Sequence, residues 1–379
     1  MFFAPPAGDS SEARRYNRIS RGLGIADAAL GLVLMAVLLV TGLSKDLRDL
    51  SFQLGVENYA LALLIYVLAL SIIGKLLGFG LDYYSFRLEH EYHLSNQKLR
   101  GWVFDQLKGF LVGLVIASIL AELLYFAVRQ WPQSWWIISW FFFLVLFVLF
   151  AQIAPVILFP IFYHFKPLDN DRLRDRLTLL SQRAGTRVRG VYEWMLSEKS
   201  KKANAALTGL GRTRRIILAD TLLANYTDDE IEAVLAHELG HHVHNHILKS
   251  ILVQAGISFL GFWLLKLVVR FSYQQENWFS SQYDFANLPL IVLVTTVLSL
   301  ALMPALNAYS RHNERQADRY AWQNIASVQP FITAMNKLAE QNLAERNPSR
   351  WIELLFHSHP PISRRITAAE AWATKQSQG

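Results

Sequence analysis

The chain has 379 residues, a net charge of +7 at pH 7 and a mean hydropathy of +0.22. Hydrophobic side chains make up 53% of the residues and charged ones only 18%, whereas a soluble domain carries about 25% charged residues, so lipid is expected to be part of the solvent. The absence of cysteine excludes a disulfide framework, a thiolate metal site and a cysteine nucleophile.

Six apolar segments are long enough to cross a bilayer, whose hydrocarbon core of about 30 Å takes roughly 20 helical residues. The predicted spans are 24–43, 58–80, 106–128, 135–163, 250–270 and 287–308. The fourth span contains Pro155 and Pro160. Because proline lacks an amide proton and clashes with the preceding turn, this span is predicted to kink or break near its end.

The distribution of Lys and Arg predicts which side of the membrane each polar segment faces. Basic residues precede the first span and fill the loop between the second and third: Arg14, Arg15, Arg18, Arg21, Arg87, Lys98, Arg100 and Lys108. Because cytoplasmic segments carry the excess of Lys and Arg, both termini and residues 164–249 are expected in the cytoplasm. This bias also accounts for the net charge, so no nucleic-acid partner is expected.

The chain is therefore predicted to be a mainly α-helical polytopic membrane protein with five parts. They are a cytoplasmic tail (1–23), a membrane domain with four spans (24–163), an α/β unit (164–249), two further spans (250–309) and a helical C-terminal part (310–379).

The α/β unit is predicted from one amphipathic helix and three short apolar runs. The helix begins at Asp169 or Asn170, repeats leucine at helical spacing and ends at Gly185. The strand-like runs are 188–195, 203–210 and 214–218, with a glycine turn at 209–211. Thr227 and Glu230 form a capping box, which predicts a second helix from Asp228 onward.

That second helix carries the sequence His-Glu-Leu-Gly-His at residues 237–241. Residues four apart share a helix face, so His237 and His241 can reach one metal ion while Glu238 lies beside it. Imidazole nitrogens bind zinc, and a neighbouring carboxylate can take a proton from water at the ion. The motif therefore predicts a zinc metallopeptidase site with Glu238 as its general base.

A catalytic zinc site usually has three protein ligands, so a third is required. His244 is near enough to His241 to compete for the role of third ligand. The preferred interpretation of His242, His244 and His246, however, is a polar helix end at the membrane surface. The preferred third ligand is Glu314, which follows the sixth span and shares a helix face with Asp318. Spacing alone does not separate this hypothesis from a surface helix carrying Arg–acid pairs.

Several further motifs stand in a fixed order around this site. They are residues 91–95 (Glu-Tyr-His-Leu-Ser), Ala154-Pro155, 165–168 (Phe-Lys-Pro-Leu), 203–205 (Ala-Asn-Ala), 209–211, 214–218, 310–318 (Ser-Arg-His-Asn-Glu-Arg-Gln-Ala-Asp) and His359-Pro360-Pro361 followed by Arg364 and Arg365. With these motifs, most of the chain after the first span resembles the Ste24-type integral-membrane zinc metallopeptidases of peptidase family M48, which include the CAAX prenyl proteases.

The resemblance implies a zincin-like unit facing a chamber enclosed by membrane helices, with one zinc ion per chain. It implies that Glu314 is the third ligand and that Asp318 supports the ligands. It further implies that Arg311 and His359 line the site and stabilise the oxyanion. The substrate would be a peptide or protein, in some members lipidated, that pairs as a strand with residues 203–205.

The substrate-binding residues implied in this way are Ala203, Asn204 and Ala205. Six spans rather than seven, and a shorter chain than the eukaryotic enzymes, favour a bacterial member in the cytoplasmic membrane. Two other classes of function are a transporter or metal-ion carrier and a catalytically silent scaffold. A carrier would place paired ionisable groups at the bilayer midplane, and a scaffold would not need Glu238.

Overall fold

A computed structural model describes residues 10–209, 214–274 and 278–378. Its helices in chain order are α1 (Ser11–Val40), α2 (Leu43–Leu54), α3 (Tyr59–Glu91), α4 (Leu99–Gln130), α5 (Trp135–Ile153), α6 (Phe159–Phe162), α7 (Asp171–Arg183), α8 (Asp220–Asn225), α9 (Asp228–Val243), α10 (His246–Gln274), α11 (Leu288–Asn324), α12 (Gln329–Gln341), α13 (Arg350–Phe356) and α14 (Ile362–Gln378). The strands are β1 (Phe165–Pro167), β2 (Val191–Trp194), β3 (Ala205–Thr208) and β4 (Arg215–Ala219).

Six segments of the described chain are long and apolar enough to cross a membrane: Ser11–Val40, Tyr59–Glu91, Leu99–Gln130, Trp135–Phe162, His246–Gln274 and Phe285–Asn324. The six predicted spans are therefore confirmed. Several helices run well beyond the apolar core, and α11 continues from the membrane into the segment that carries Glu314. The boundary expected between residues 309 and 310 thus falls inside one continuous helix.

The fourth membrane helix changes its winding at Pro155, near the end of the span where a kink or break was predicted. After α5, residues Ala154–Leu158 form a π-helical turn, and α6 follows directly. Pro155 lies in the π turn. A wider turn accommodates the proline ring and the missing hydrogen bond without ending the helix.

The polar unit contains a four-stranded sheet in the order β1–β2–β4–β3. Strand β2 runs parallel to β4, whereas β1 and β3 pair antiparallel at the two edges. The three predicted strands are confirmed: β2 and β3 are shorter than the predicted runs, and β4 is shifted by one residue. Strand β1 was not predicted, because three residues are too few to show an alternating pattern. Residues 210–213 lie outside the described chain, so the predicted turn at 209–211 is only partly covered.

Helix α9 lies over this sheet and forms the floor of the site. Its start is the predicted capping box: the Thr227 hydroxyl accepts from the Glu230 amide, and the Glu230 carboxylate accepts from the Thr227 amide. Its inner face is buried at Ile231 and Leu235, which belong to the same core as Ile216 of β4. This packing fixes how α9 presents its opposite face.

Helices α9 and α11 cross in close contact at Gly240. A Cβ atom built on Gly240 would lie 2.7 Å from Ala317 Cα and 2.9 Å from Ala317 O. Both are backbone atoms, so they cannot move aside as a flexible side chain would. Glycine is therefore required for the two helices to approach this closely.

Replacing Gly240 by alanine is expected to push α9 away from α11 and to lower the free energy of unfolding by about 1–3 kcal/mol, the usual cost of overpacking. Thermal unfolding of detergent-purified protein measures this change. Gly256→Ala in α10 is the matched control, because its added methyl group meets nothing within 4 Å. Equal unfolding midpoints for the two variants would contradict the close crossing.

Candidate metal centre and active site

Three side chains from two helices converge where α9 crosses α11. The Nε2 atoms of His237 and His241 lie 3.3 Å apart. Glu314 of α11 faces both, with Oε2 3.3 Å from His237 Nε2 and Oε1 3.2 Å from His241 Nε2. Among the residues that the structure describes, His237, His241 and Glu314 form a group of side chains that could together hold a metal ion.

The spacing of these donors fits a zinc ion. Ligand atoms at about 2.0–2.1 Å from a tetrahedral ion lie roughly 3.3–3.4 Å from one another. The nitrogen and oxygen atoms of this group are separated by 3.2–3.3 Å. Oε2 of Glu314 is buried and makes no hydrogen bond. A cation between the three donors would satisfy that oxygen.

His237 is held from behind by a carboxylate. Its Nδ1 lies 2.9 Å from Asp318 Oδ1, and Arg365 donates two hydrogen bonds to Asp318, at 2.6 and 2.9 Å. Burial lowers the pKa of His237, but the adjacent carboxylates of Asp318 and Glu314 outweigh that effect and raise the pKa to about 9. The same negative field favours a divalent cation at Nε2.

Glu238 faces a cavity of about 410 Å³ next to the ligands. His241 of α9, Leu207 of β3 and Phe147 of α5 also line this cavity. Burial raises the pKa of Glu238, and the neighbouring histidines oppose that effect. A carboxylate in such surroundings is a stronger proton acceptor than one in water, as a general base requires.

His359 lies on the open side of the ligand group. Its Nε2 is 3.3 Å from Glu314 Oε1, and its side chain is 62% exposed. Arg311 has a different position from the one that the resemblance implied. Its Nη1 donates to the carbonyl oxygens of Glu353 (2.9 Å) and His357 (2.6 Å). Arg311 therefore stabilises the segment leading to His359. These contacts give no support to a direct role of Arg311 in stabilising the oxyanion.

The histidines after His241 differ from one another in position. His244 is the C-cap residue of α9 and has ring contacts with His246 and Tyr320. It is not part of the group of side chains that could hold a metal ion. His246, interpreted from sequence as part of a polar helix end, is buried, and its Nδ1 lies 3.0 Å from His241 Nδ1. That interpretation of His246 is wrong. Crowding of histidines was the available signal, but sequence alone did not show the turn between the helices.

Strand β3 is an edge of the sheet and passes beside the cavity. The carbonyl of Asn204 accepts a hydrogen bond from the Ala219 amide at 3.0 Å. In an antiparallel ladder, residues alternate between facing the partner strand and facing away. Ala203, Ala205 and Leu207 therefore direct their amide groups to the open edge.

The open edge does not begin at Ala203. The Ala203 amide donates to Asn342 Oδ1 at 2.9 Å, and Asn342 Nδ2 donates to the Ala203 carbonyl at 3.2 Å. Both backbone groups of Ala203 are thus already hydrogen-bonded within the protein and are not available to a substrate strand in this arrangement. The available stretch starts at Ala205 and runs to Leu207.

The family model described as peptidase family M48 matches residues 167–373, and the model described as the CAAX prenyl protease N-terminal part, five membrane helices, matches residues 7–164. The uncharacterised metalloprotease YhfN of Bacillus subtilis is 30% identical over 361 residues, covering 94% of this chain and 84% of that protein.

Two yeast proteins extend the comparison. CAAX prenyl protease 1 of Saccharomyces cerevisiae is 30% identical over 326 residues, covering 81% of this chain and 72% of that protein. The crystal structure of Ste24p of S. mikatae superposes with a TM-score of 0.86 at 25% identity, covering 96% of this chain and 91% of that one. The membrane helices and the polar unit are thus shared as one arrangement.

Asp318→Ala is expected to weaken zinc binding by about 10- to 100-fold, because His237 loses the acceptor that fixes its ring and Arg365 is left without its partner. Zinc competition against a chelator of known affinity measures the effect. Asp229→Ala, which removes an exposed carboxylate paired with Arg176, is the control and should leave affinity unchanged. Equal affinities in the two variants would exclude a supporting role for Asp318.

Proposed function

The chain belongs to peptidase family M48 and is an integral-membrane, zinc-dependent metallopeptidase, and we propose that it cleaves internal peptide bonds of extended, membrane-associated polypeptides. The convergence of His237, His241 and Glu314 beside Glu238 carries this proposal. These relatives do not favour the transporter, metal-ion carrier or silent scaffold considered from sequence.

In the proposed site, His237, His241 and Glu314 would hold the zinc ion. Zinc supplies polarisation of the scissile carbonyl and increased acidity of water. Glu238 accepts the proton from the attacking water and delivers it to the leaving amine. The partly enclosed cavity beside Glu238 keeps that proton transfer between positioned groups and limits competition from bulk solvent.

His359 is proposed to stabilise the oxyanion. Its side chain is 62% exposed and its Nε2 stands 3.3 Å from Glu314 Oε1, so an N–H from its ring can reach an oxygen near the ion. Arg311 is proposed to act indirectly, since its two carbonyl contacts position the segment before His359.

The substrate is proposed to add a strand to the open edge of β3. Outward-facing amide groups of Ala205 and Leu207 would hydrogen-bond to its backbone, as in other cases of β-augmentation. Leu207 also lines the cavity that contains Glu238, so a strand paired there passes the general base. Because main-chain groups make these bonds, the pairing requires an extended peptide rather than a particular sequence.

An apolar or lipidated part of the substrate is proposed to occupy a second cavity. This cavity, of about 380 Å³, lies among α4, α5, α10 and α11, and Phe143, Leu146 and Leu298 are among its lining residues. Leu146 is adjacent in sequence to Phe147 of the active-site cavity. Named relatives are CAAX prenyl proteases, which makes lipidated peptides a suitable first substrate class.

We further propose that the site and both termini face the cytoplasm of a bacterium. The start of α1 reaches the C-terminal part, where Arg21 pairs with Glu345 at 2.5 Å. At the end of α3, Glu89 pairs with Lys202 at 2.7 Å. The basic segments identified from sequence therefore share one side with the site, and Lys and Arg accumulate on the cytoplasmic side.

Glu238→Gln is expected to retain about one zinc per chain and to lower the rate of peptide hydrolysis at least 100-fold, because only the proton acceptor is lost. Glu314→Ala is expected to lose both zinc and activity. Metal content and cleavage of an extended peptide by detergent-purified protein provide the two readouts. Glu232→Gln on the same helix is the matched control and should retain both.

Two results would overturn parts of this proposal. Full zinc content and activity in Glu314→Ala would contradict the assignment of Glu314 as the third zinc ligand. His244 would then be the alternative candidate. Undiminished hydrolysis by Glu238→Gln would remove its role as general base.

Ala205→Pro is expected to lower kcat/KM about 3- to 10-fold without altering the unfolding temperature, because it removes an outward N–H worth about 1 kcal/mol and edge strands tolerate proline. Ala206→Pro should instead destabilise the fold, since its amide faces β4. Steady-state kinetics and thermal unfolding separate the two effects. Unchanged kcat/KM in folded Ala205→Pro would contradict strand addition.

A further inference from the structure

The chain reverses direction immediately after the metal-binding helix. Helix α9 ends at Val243, and α10 begins at His246. Asn245 lies between them with φ of 55°, a left-handed conformation that asparagine adopts more readily than most residues. The reversal returns His246 to His241, five residues earlier, with the two Nδ1 atoms 3.0 Å apart.

His246 continues into a chain of hydrogen bonds along α11. Its Nε2 lies 2.9 Å from Gln316 Oε1, and Gln316 Nε2 lies 3.1 Å from His312 Nε2. His246 itself is only 4% exposed. Both of its ring nitrogens therefore have protein partners, and the ring cannot turn without leaving a buried nitrogen unpaired.

Metal binding fixes the direction of this chain. His241 faces the other two side chains of the group through Nε2, so with a metal ion bound there its Nδ1 would carry the proton and donate to His246 Nδ1. His246 must then carry its proton on Nε2, which donates to Gln316 Oε1. The amide of Gln316 donates in turn to His312 Nε2. Each donor meets an acceptor, so one set of tautomers satisfies the whole chain.

We propose that His246 is a positioning residue for the zinc ligand His241, acting as a neutral hydrogen-bond acceptor that fixes the tautomer and rotation of that ring. The inference rests on the proposed ligand set. Outer partners of this kind typically influence metal affinity about 10- to 100-fold. His241 thus has a neutral partner, whereas His237 has the carboxylate of Asp318.

A purely structural role is the competing explanation, since a buried histidine between two helices also supports packing. The two roles differ in what a substitution by asparagine does. The Oδ1 atom of asparagine can stand near the position of His246 Nδ1 and accept from His241, while the rest of the ring and the bond to Gln316 are lost. Leucine fills the space without accepting a hydrogen bond.

The test compares His246→Leu and His246→Asn with wild type and with His244→Leu, a matched change at the same helix junction. Among the described residues, His244 makes ring contacts but no hydrogen bond to His241. Zinc dissociation constants come from chelator competition, and the absorption bands of cobalt-loaded protein report ligand geometry. Thermal unfolding of the metal-free forms reports packing separately.

His246→Leu is expected to raise the zinc dissociation constant about 10- to 100-fold and to shift the cobalt bands. His246→Asn and His244→Leu should stay within about threefold of wild type. If His246→Leu does not fold, His246→Gln replaces it, since its longer side chain carries the oxygen past Nδ1 and should bind zinc at least tenfold more weakly than His246→Asn.

Affinities within threefold for all variants, or an His246→Asn variant as weak as His246→Leu, would overturn the positioning role. A wild-type chain that bound no zinc would overturn the proposed ligand set itself. Failure of the proposed function can therefore be distinguished from failure of the role proposed for His246.

Discussion

The close crossing of α9 and α11 is the constraint on which the site depends. Gly240 allows the backbone of α9 to meet Ala317 of α11 without an intervening side chain. Glu314 lies one turn before Ala317 on α11, and His237 and His241 flank Gly240 on α9. The separation of the helices therefore determines whether the carboxylate reaches both imidazoles. Because α11 is also a membrane helix, the metal site is built directly onto the membrane domain.

The two histidines proposed as zinc ligands have outer partners of different charge. His237 lies against Asp318, whose charge is balanced by Arg365 at 2.6 Å, whereas the proposed partner of His241 is a neutral His246, with the two Nδ1 atoms 3.0 Å apart. A zinc ion with two neutral imidazoles and one carboxylate retains a single positive charge. Glu238 stands close to that charge. A carboxylate behind the ligands without such a balancing cation would reduce the positive charge of the zinc site further. The site would then polarise substrate oxygen and water less strongly.

Local signals predicted much of the fold and part of the site. Apolar length located the six spans, and the capping box at Thr227 located the start of the metal-binding helix. Helical spacing put His237 and His241 on one face. Spacing did not decide between a ligand role for Glu314 and a solvent-exposed helix. Its position directly after the sixth span favoured it over His244, and the family resemblance then implied the ligand role.

Contacts between distant parts of the chain could not be read from the sequence. The side chain of Asn342 is hydrogen-bonded to the backbone of Ala203, although the two residues are 139 positions apart in the sequence. Neither local sequence pattern indicates this contact. Arg311 contacts carbonyl groups more than 40 residues later, at 353 and 357, and no local pattern predicts these contacts. His246 is near His241 in sequence, but their contact depends on the left-handed turn at Asn245.

X-ray diffraction from crystals of the zinc-loaded chain, recorded on both sides of the zinc absorption edge, tests the metal site most directly. The expected result is one anomalous peak per chain, about 2.0–2.2 Å from His237 Nε2, His241 Nε2 and a carboxylate oxygen of Glu314. A peak bound instead by His242, His244 or His246, or one that leaves Glu314 uncoordinated, would contradict the ligand set on which the proposed chemistry rests.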